Sequence, residues 1–217
     1  VDDHISVGSR SFFILRVRDT NTLLQKVQPE AFARDERLPY WAELWPSSIE
    51  LARSCLEEMS LQDKSVLELG CGLGLAGIVA AAAGAHVRVS DYEPDALIFA
   101  QYNALKNLPQ HVVDSRVEFC LLDWRTDQEP EPVDVIIAAD VVYEQKSFVP
   151  ILDFVRRALK KDGWAVFTDP DRSTGMPFFA LAEQLGFDVT LGSRLVQHAN
   201  KPSTILRGEL RFGGQHR

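Results

Sequence analysis

The chain has 217 residues, 46% of them hydrophobic and 25% charged, with a net charge of −8. That length suits one α/β domain with modest additions, and the composition is that of an ordinary globular protein. The negative charge disfavours nucleic acid as the main partner, since phosphate binding needs a basic face, and no apolar run approaches the roughly 18 residues of a membrane span. Cys55, Cys71 and Cys120 show neither paired nor metal-type spacing. They read as reduced thiols of a cytoplasmic protein, with no metal site expected. The chain begins at Val1, which reads as a trimmed or partial start and leaves targeting open.

In chain order, residues 12–17 and 23–27 are apolar stretches around the turn cluster Asp19-Thr20-Asn21, which suggests a β-hairpin. Residues 34–37 are charged and read as loop. From Ser47 a helical period appears (Ile49, Leu51, Ala52, Leu56, Met59), with Ser47 or Ser48 as cap. Strands and helices then alternate. Strands are expected at 65–69, 86–90, 117–122, 133–139 and 164–168. Helices are expected at 75–83, 94–106, 148–160 and 177–185. Residues 187–191 and 204–212 follow without a helix between them and suggest an antiparallel pair. The pattern predicts an α/β, Rossmann-like sheet of seven strands, mostly parallel with an antiparallel last strand, and helices on both faces. Residues 1–37 would form an N-terminal β-hairpin extension and 38–217 the main domain.

The first strand of this series runs into Glu68-Leu69-Gly70-Cys71-Gly72-Leu73-Gly74-Leu75-Ala76-Gly77. Two motifs overlap there. Gly72, Gly74 and Gly77 spell the dinucleotide pattern G-x-G-x-x-G, and Glu68 to Gly74 spell E-x-G-x-G-x-G, the loop typical of S-adenosylmethionine (SAM) enzymes. Glu68 favours SAM. A carboxylate before the cradle repels a pyrophosphate but tolerates an ammonium and a sulfonium. The glycine that directly follows the strand is Gly70, which gives G-x-G-x-G and again favours SAM. Asp91, ending the second strand, can accept from both ribose hydroxyls, and Tyr92 can flank the adenine. Asp123 can accept from the adenine amino group while Trp124 covers the ring. Asp140 ends the fourth strand in the same way.

The chain therefore resembles the class I, seven-strand SAM-dependent methyltransferases over about residues 38 to 212. It is more narrowly similar to the family-16 group, which contains many protein-lysine methyltransferases. Pro39-Tyr40-Trp41-Ala42-Glu43-Leu44-Trp45-Pro46, the Glu68 glycine loop and Asp140-Val141-Val142-Tyr143 carry that likeness. The resemblance implies cofactor contacts at Trp45, Gly70, Cys71, Gly72, Asp91, Trp124 and Ala139, and an acceptor signature D-x-x-Y at Asp140 and Tyr143. It also implies SAM as cofactor, S-adenosylhomocysteine as product and a protein lysine as acceptor. Pro39–Ala42 and Asp169-Pro170-Asp171-Arg172 look like the branch that methylates the β-subunit of electron-transfer flavoprotein.

On this reading Asp140 receives the incoming ammonium and orients the amine, and Tyr143 lines the channel by hydrogen bond or cation–π contact. Amino-methylating nucleic-acid enzymes usually carry prolines where Val141 and Val142 stand. A small-molecule acceptor on the same fold is the alternative. An NAD oxidoreductase is disfavoured by Glu68, and a non-catalytic binding module by the full set of strand-end acids.

Overall fold

The computed structural model describes residues 1–25, 38–126, 129–171, 175–199 and 201–214. The charged stretch 34–37 and Arg172 of the Asp169–Arg172 turn lie outside them. At the N-terminus β1 (Asp2–Val7) pairs antiparallel with β2 (Arg10–Leu15), from Asp2↔Leu15 to Val7↔Arg10. The hairpin turn is therefore at Gly8-Ser9, with Gly8 at φ +55, a left-handed value that glycine adopts without strain. This corrects the hairpin expected around Asp19–Asn21. Asp19 instead caps a short helix α1 (Thr20–Leu24), its carboxylate accepting from the Asn21 N–H at 3.0 Å. Asp and Asn serve turns and helix starts by the same side-chain bond, so the cluster alone does not choose.

Helix α2 (Pro46–Glu57) has Pro at its first position. Then follow β3 (Ser65–Leu69), α3 (Leu75–Ala82), β4 (His86–Asp91), α4 (Pro94–Asn107), α5 (Gln110–Arg116), β5 (Val117–Leu121), β6 (Val133–Ala139), α6 (Phe148–Ala158), β7 (Leu159–Pro170), α7 (Gly175–Gln184), β8 (Phe187–His198) and β9 (Lys201–Phe212). The sheet order is β5-β4-β3-β6-β7-β9-β8. Neighbours from β5 to β7 pair parallel, and β9 runs antiparallel to both β7 and β8.

The central strands are covered on both faces, and their alternation divides the core. Val66, Val135 and Ile137 join one apolar cluster with Leu51, Ile78 and the hairpin residues Ile5, Val7, Phe12 and Ile14. Leu67, Leu69, Ile136 and Ala138 join a second with Ile151, Phe154, Phe178 and Phe179. In this second layer Gly208 leaves room for Phe179: a Cβ there would lie 2.0 Å from Phe179 Cε1. Gly208→Ala is expected to destabilise the protein by about 2–3 kcal/mol, seen as a fall in Tm of roughly 4–12 °C.

The hairpin is fastened to α4 by two asparagines one turn apart. Asn103 accepts from the Leu15 N–H at 2.7 Å and donates to the Leu15 carbonyl at 3.1 Å. Asn107 does the same with Phe13, at 2.8 and 2.7 Å. Their amides thus take the place of a third strand along β2. Buried Asn103 also donates to the Leu73 carbonyl in the glycine loop, at 3.0 Å.

Several elements depart from expectation. Strand β7 begins at Leu159, inside the helix expected over 148–160, and α6 ends at Ala158. Helix α5 buries only Val113, too little for a periodic signal. Strands β8 and β9 run twelve residues each; Gly192, Ser193 and Arg194 interrupt the apolar pattern of β8, and residues 195–198 and 201–204 continue as an arm past the end of β7.

Candidate active site

Strand order reverses between β4 and β6 on either side of β3, so a crevice opens at the carboxyl ends of these strands. An open cleft lies there, where small molecules bind in sheets of this kind. Trp45, Glu68, Gly70, Cys71, Gly72, Asp91, Tyr92, Trp124, Ala139, Asp140 and Tyr143 line it. Asp123 does not. Its carboxylate is held by the Arg125 side chain at 2.8 and 2.7 Å and by the Arg125 N–H at 3.0 Å.

The loop after β3 turns sharply, with Gly70 at φ +63 and Gly72 at φ +52. Asp91 Oδ2 accepts from the Gly72 N–H and Oδ1 from the Glu93 N–H, both at 2.9 Å. Tyr92 contributes a further backbone bond to this carboxylate. Burial raises the Asp91 carboxyl above its ordinary range, against those backbone bonds.

Glu68 is 3% exposed. Burial pushes its carboxyl up to about 8; a bond from Gly77 opposes this and the Asp91 charge adds to it. Glu68 Oε2 has no hydrogen-bond partner among the described residues. A Cβ at Gly77 would lie 2.3 Å from that oxygen. Gly77, the third glycine of the dinucleotide-like spelling, thus makes room for a carboxylate, which is opposite to what a pyrophosphate requires. Cys71 is buried beside these acids, and burial first, then the Asp91 charge, push its thiol far up. It is a wall and not a nucleophile.

Trp124 lies against the loop, its ring atoms 3.7 and 3.8 Å from a Cβ placed at Gly70. Its Nε1 is buried without a partner among the described residues. The Arg125 guanidinium covers the Tyr92 ring at 5.5 Å. Trp41 packs on Phe99 at 5.3 Å, and its carbonyl is 3.2 Å from a Cβ at Gly72.

Tyr40, Trp45, Asp140 and Tyr143 together line a second, half-open cavity, and all four also line the main cleft. The Tyr40 ring makes edge contacts to Trp45 at 6.3 Å and to Tyr143 at 5.7 Å between centroids. The Trp45 indole N–H donates to the Tyr40 carbonyl at 3.0 Å. Burial, then the charges of Glu144 and other neighbours, push the Tyr143 phenol up to about 12. Asp140 adopts φ +59, uncommon for a non-glycine residue and concentrated at functional positions.

Tyr40 belongs to the Pro39–Pro46 segment but has no role legible in the sequence. Its signal was its place five residues before Trp45. Ser47 and Ser48 were read as helix caps. Instead Ser48 Oγ donates to the Trp45 carbonyl at 2.8 Å and Ser47 Oγ donates to Asp140 at 2.9 Å.

A family model described as lysine methyltransferase matches residues 36–184. The chain belongs to that family. Protein N-lysine methyltransferase METTL21A of Danio rerio is 36% identical over 121 residues, 54% of this chain and 55% of the relative. EEF1A lysine methyltransferase 3 of Mus musculus is 33% identical over 123 residues, 55% and 51% of the two chains. The chain thus spans about half the length of the curated relatives it matches. Among solved structures, the N-methyltransferase NodS of Bradyrhizobium japonicum, in complex with S-adenosyl-L-homocysteine, superposes with a TM-score of 0.61 at 16% identity, over 89% of this chain and 97% of that one. Magnesium protoporphyrin IX methyltransferase of Synechocystis PCC 6803, with bound SAM, gives 0.59 at 19% identity, over 90% and 98%. These two share the fold, a seven-stranded methyltransferase sheet with its last strand antiparallel. Among the described residues no helix is long and apolar enough to cross a membrane, and no group of three or more His, Cys, Asp or Glu could hold a metal ion.

Proposed function

We propose that this chain is a SAM-dependent methyltransferase acting on a lysine side chain of a protein. The observation that carries the reading is the aromatic cavity around Asp140, continuous with the glycine-loop cleft. The cleft residues fit SAM. A buried carboxylate oxygen and a buried indole N–H there lack partners among the described residues, and a cationic nucleoside offers complements to both. Glu68 would face its ammonium, Asp91 its ribose hydroxyls, and Trp124 and Tyr92 its adenine. Asp123 would shape this wall through its bonds to Arg125. Trp45, Gly70, Cys71, Gly72 and Ala139 would complete the contact surface. SAM supplies a methyl group made electrophilic by its sulfonium.

The remaining work falls to the acceptor end, where positioning dominates a direct displacement. A lysine amine has a reference pKa of about 10.4 and must arrive neutral. Three aromatic walls disfavour its charged form by desolvation, while Asp140 receives the ammonium and aligns it. Tyr143 stays protonated at neutral pH and donates or presents its ring. The net charge of −8 suits a lysine-bearing segment. The relatives above are named as lysine methyltransferases, one of them for EEF1A. The β-subunit of electron-transfer flavoprotein stands as a candidate acceptor on the likeness of residues 39–42 and 169–172, and a cytoplasmic setting remains an expectation.

Radiolabelled SAM with a cell lysate tests the reading. Label is expected on protein, at lysine on mass mapping. Label confined to small molecules would overturn it.

A further inference from the structure

Asp140 is held by a closed ring of hydrogen bonds across three elements. The Ser47 hydroxyl, at the start of α2, donates to Asp140 Oδ2 at 2.9 Å. The Ser47 carbonyl accepts from the Thr168 hydroxyl, near the end of β7, at 2.9 Å. The Thr168 carbonyl accepts from the Asp140 N–H at 2.8 Å. That last bond extends the β6–β7 ladder one step past Ala139↔Thr168. Ser47 is fully buried and Thr168 is 1% exposed. We propose that Ser47 and Thr168 are positioning residues that fix the Asp140 carboxylate at the acceptor end of the cleft; this rests on the lysine-acceptor reading above.

Three observations support it. The left-handed backbone at Asp140 is unfavourable for a residue with a Cβ, so it needs outside support, and Thr168 supplies it from the backbone side. A serine in the first turn of a helix ordinarily caps that helix. Here the hydroxyl goes to Asp140, and the cap position, Trp45, makes no side-chain cap bond. A buried hydroxyl without a partner is costly, and alanine would pack the same space. The hydroxyl at Ser47 is thus matched to the carboxylate. The same short segment carries Trp45 of the aromatic cavity and Ser48 of the cofactor cleft. The start of α2 therefore sets the acid, the aromatic wall and the cofactor wall together.

The test uses the full chain loaded with S-adenosylhomocysteine and n-butylammonium chloride as a stand-in for a lysine side chain, followed by NMR titration. Ser47→Ala is expected to weaken the probe roughly tenfold, as loss of a hydrogen bond to a charged group does. Its S-adenosylhomocysteine affinity should match wild type, with a fall in melting temperature of only about 2–4 °C. Asp140→Asn should lose at least as much. Adding Ser47→Ala to Asp140→Asn should cost nothing more, because the serine acts through the acid. Thr168→Ser should bind as wild type and Thr168→Val more weakly. If Ser47→Ala binds as wild type while Asp140→Asn does not, the positioning role is overturned and the acceptor reading stands. Equal losses from Ser47→Ala in both backgrounds would mark a merely structural role. Wild-type binding by Asp140→Asn, or none by the wild type itself, overturns both.

Discussion

Asp140→Asn is expected to slow methyl transfer by about 10²–10³-fold and to leave SAM affinity within about twofold of wild type. The size follows from the reaction. Little acid–base chemistry is needed in the displacement, so misorienting the amine removes most of what the acceptor end contributes. The choice of asparagine matters because the residue sits at φ +59. Asparagine tolerates that region, whereas alanine would add backbone strain to the loss of charge. Single-turnover kinetics on the labelled acceptor, with calorimetry of SAM binding, separates the two effects. Turnover equal to wild type would remove Asp140 from the chemistry. Tyr143→Phe keeps the ring contact to Tyr40 and loses the hydroxyl, so a smaller loss at the same step is expected.

The second large effect concerns pH and Glu68. Its carboxyl is raised to about 8 in the folded protein, by burial above all. The folded state therefore holds a proton that the unfolded chain releases near 4.5. The stabilisation from this group is complete below pH 4.5 and is lost as pH rises through 8. The full swing is of order 4–5 kcal/mol. Urea melts of the ligand-free protein should show stability falling between pH 5.5 and 8. In Glu68→Gln this fall should largely disappear. Asp91, raised in the same direction, remains in that variant and sets the residual slope. SAM affinity should respond oppositely. An ionised Glu68 suits the ammonium, so below pH 8 binding must release a proton, and affinity should drop up to tenfold per pH unit in wild type. Identical slopes in the two proteins would sink this account of Glu68.

The parts of the site legible in the sequence are those whose demands are local. A glycine loop at a strand end, and acids closing successive strands, show in a few consecutive residues. That is why Glu68, Gly70, Gly72, Asp91 and Asp140, which share one cleft in the fold, stand out in the sequence. Asp123 fits the same pattern, yet Arg125 two residues on takes its carboxylate. Ser47 and Asp140 are 93 residues apart. Only the packing of α2 against the ends of β6 and β7 brings them together, so the serine looked like a cap. Tyr40 is likewise defined by the rings around it. In the fold, buried parallel strands gave strong runs, while α5 with one buried residue and the mostly exposed stretch of β8 around Gly192 gave almost none. The N-terminal turn lies at Gly8-Ser9 and not at the Asp19–Asn21 cluster, because a lone glycine is a weaker turn signal than three consecutive turn-forming residues.

The asparagine fastening of the hairpin has a consequence for how the chain assembles. The partners Phe13 and Asn107 are 94 residues apart, and Leu15 and Asn103 are 88 apart. Both amides must stand one turn apart on a finished helix before the edge of β2 facing away from β1 has anything to pair with. Loop closure over such a span is unfavourable until the α4 face exists. The hairpin is thus expected to join late, with substitutions at Asn103 or Asn107 hastening unfolding far more than slowing folding. The backbone amides of Phe13 and Leu15 should exchange with solvent by detachment of the hairpin alone, ahead of the central strands.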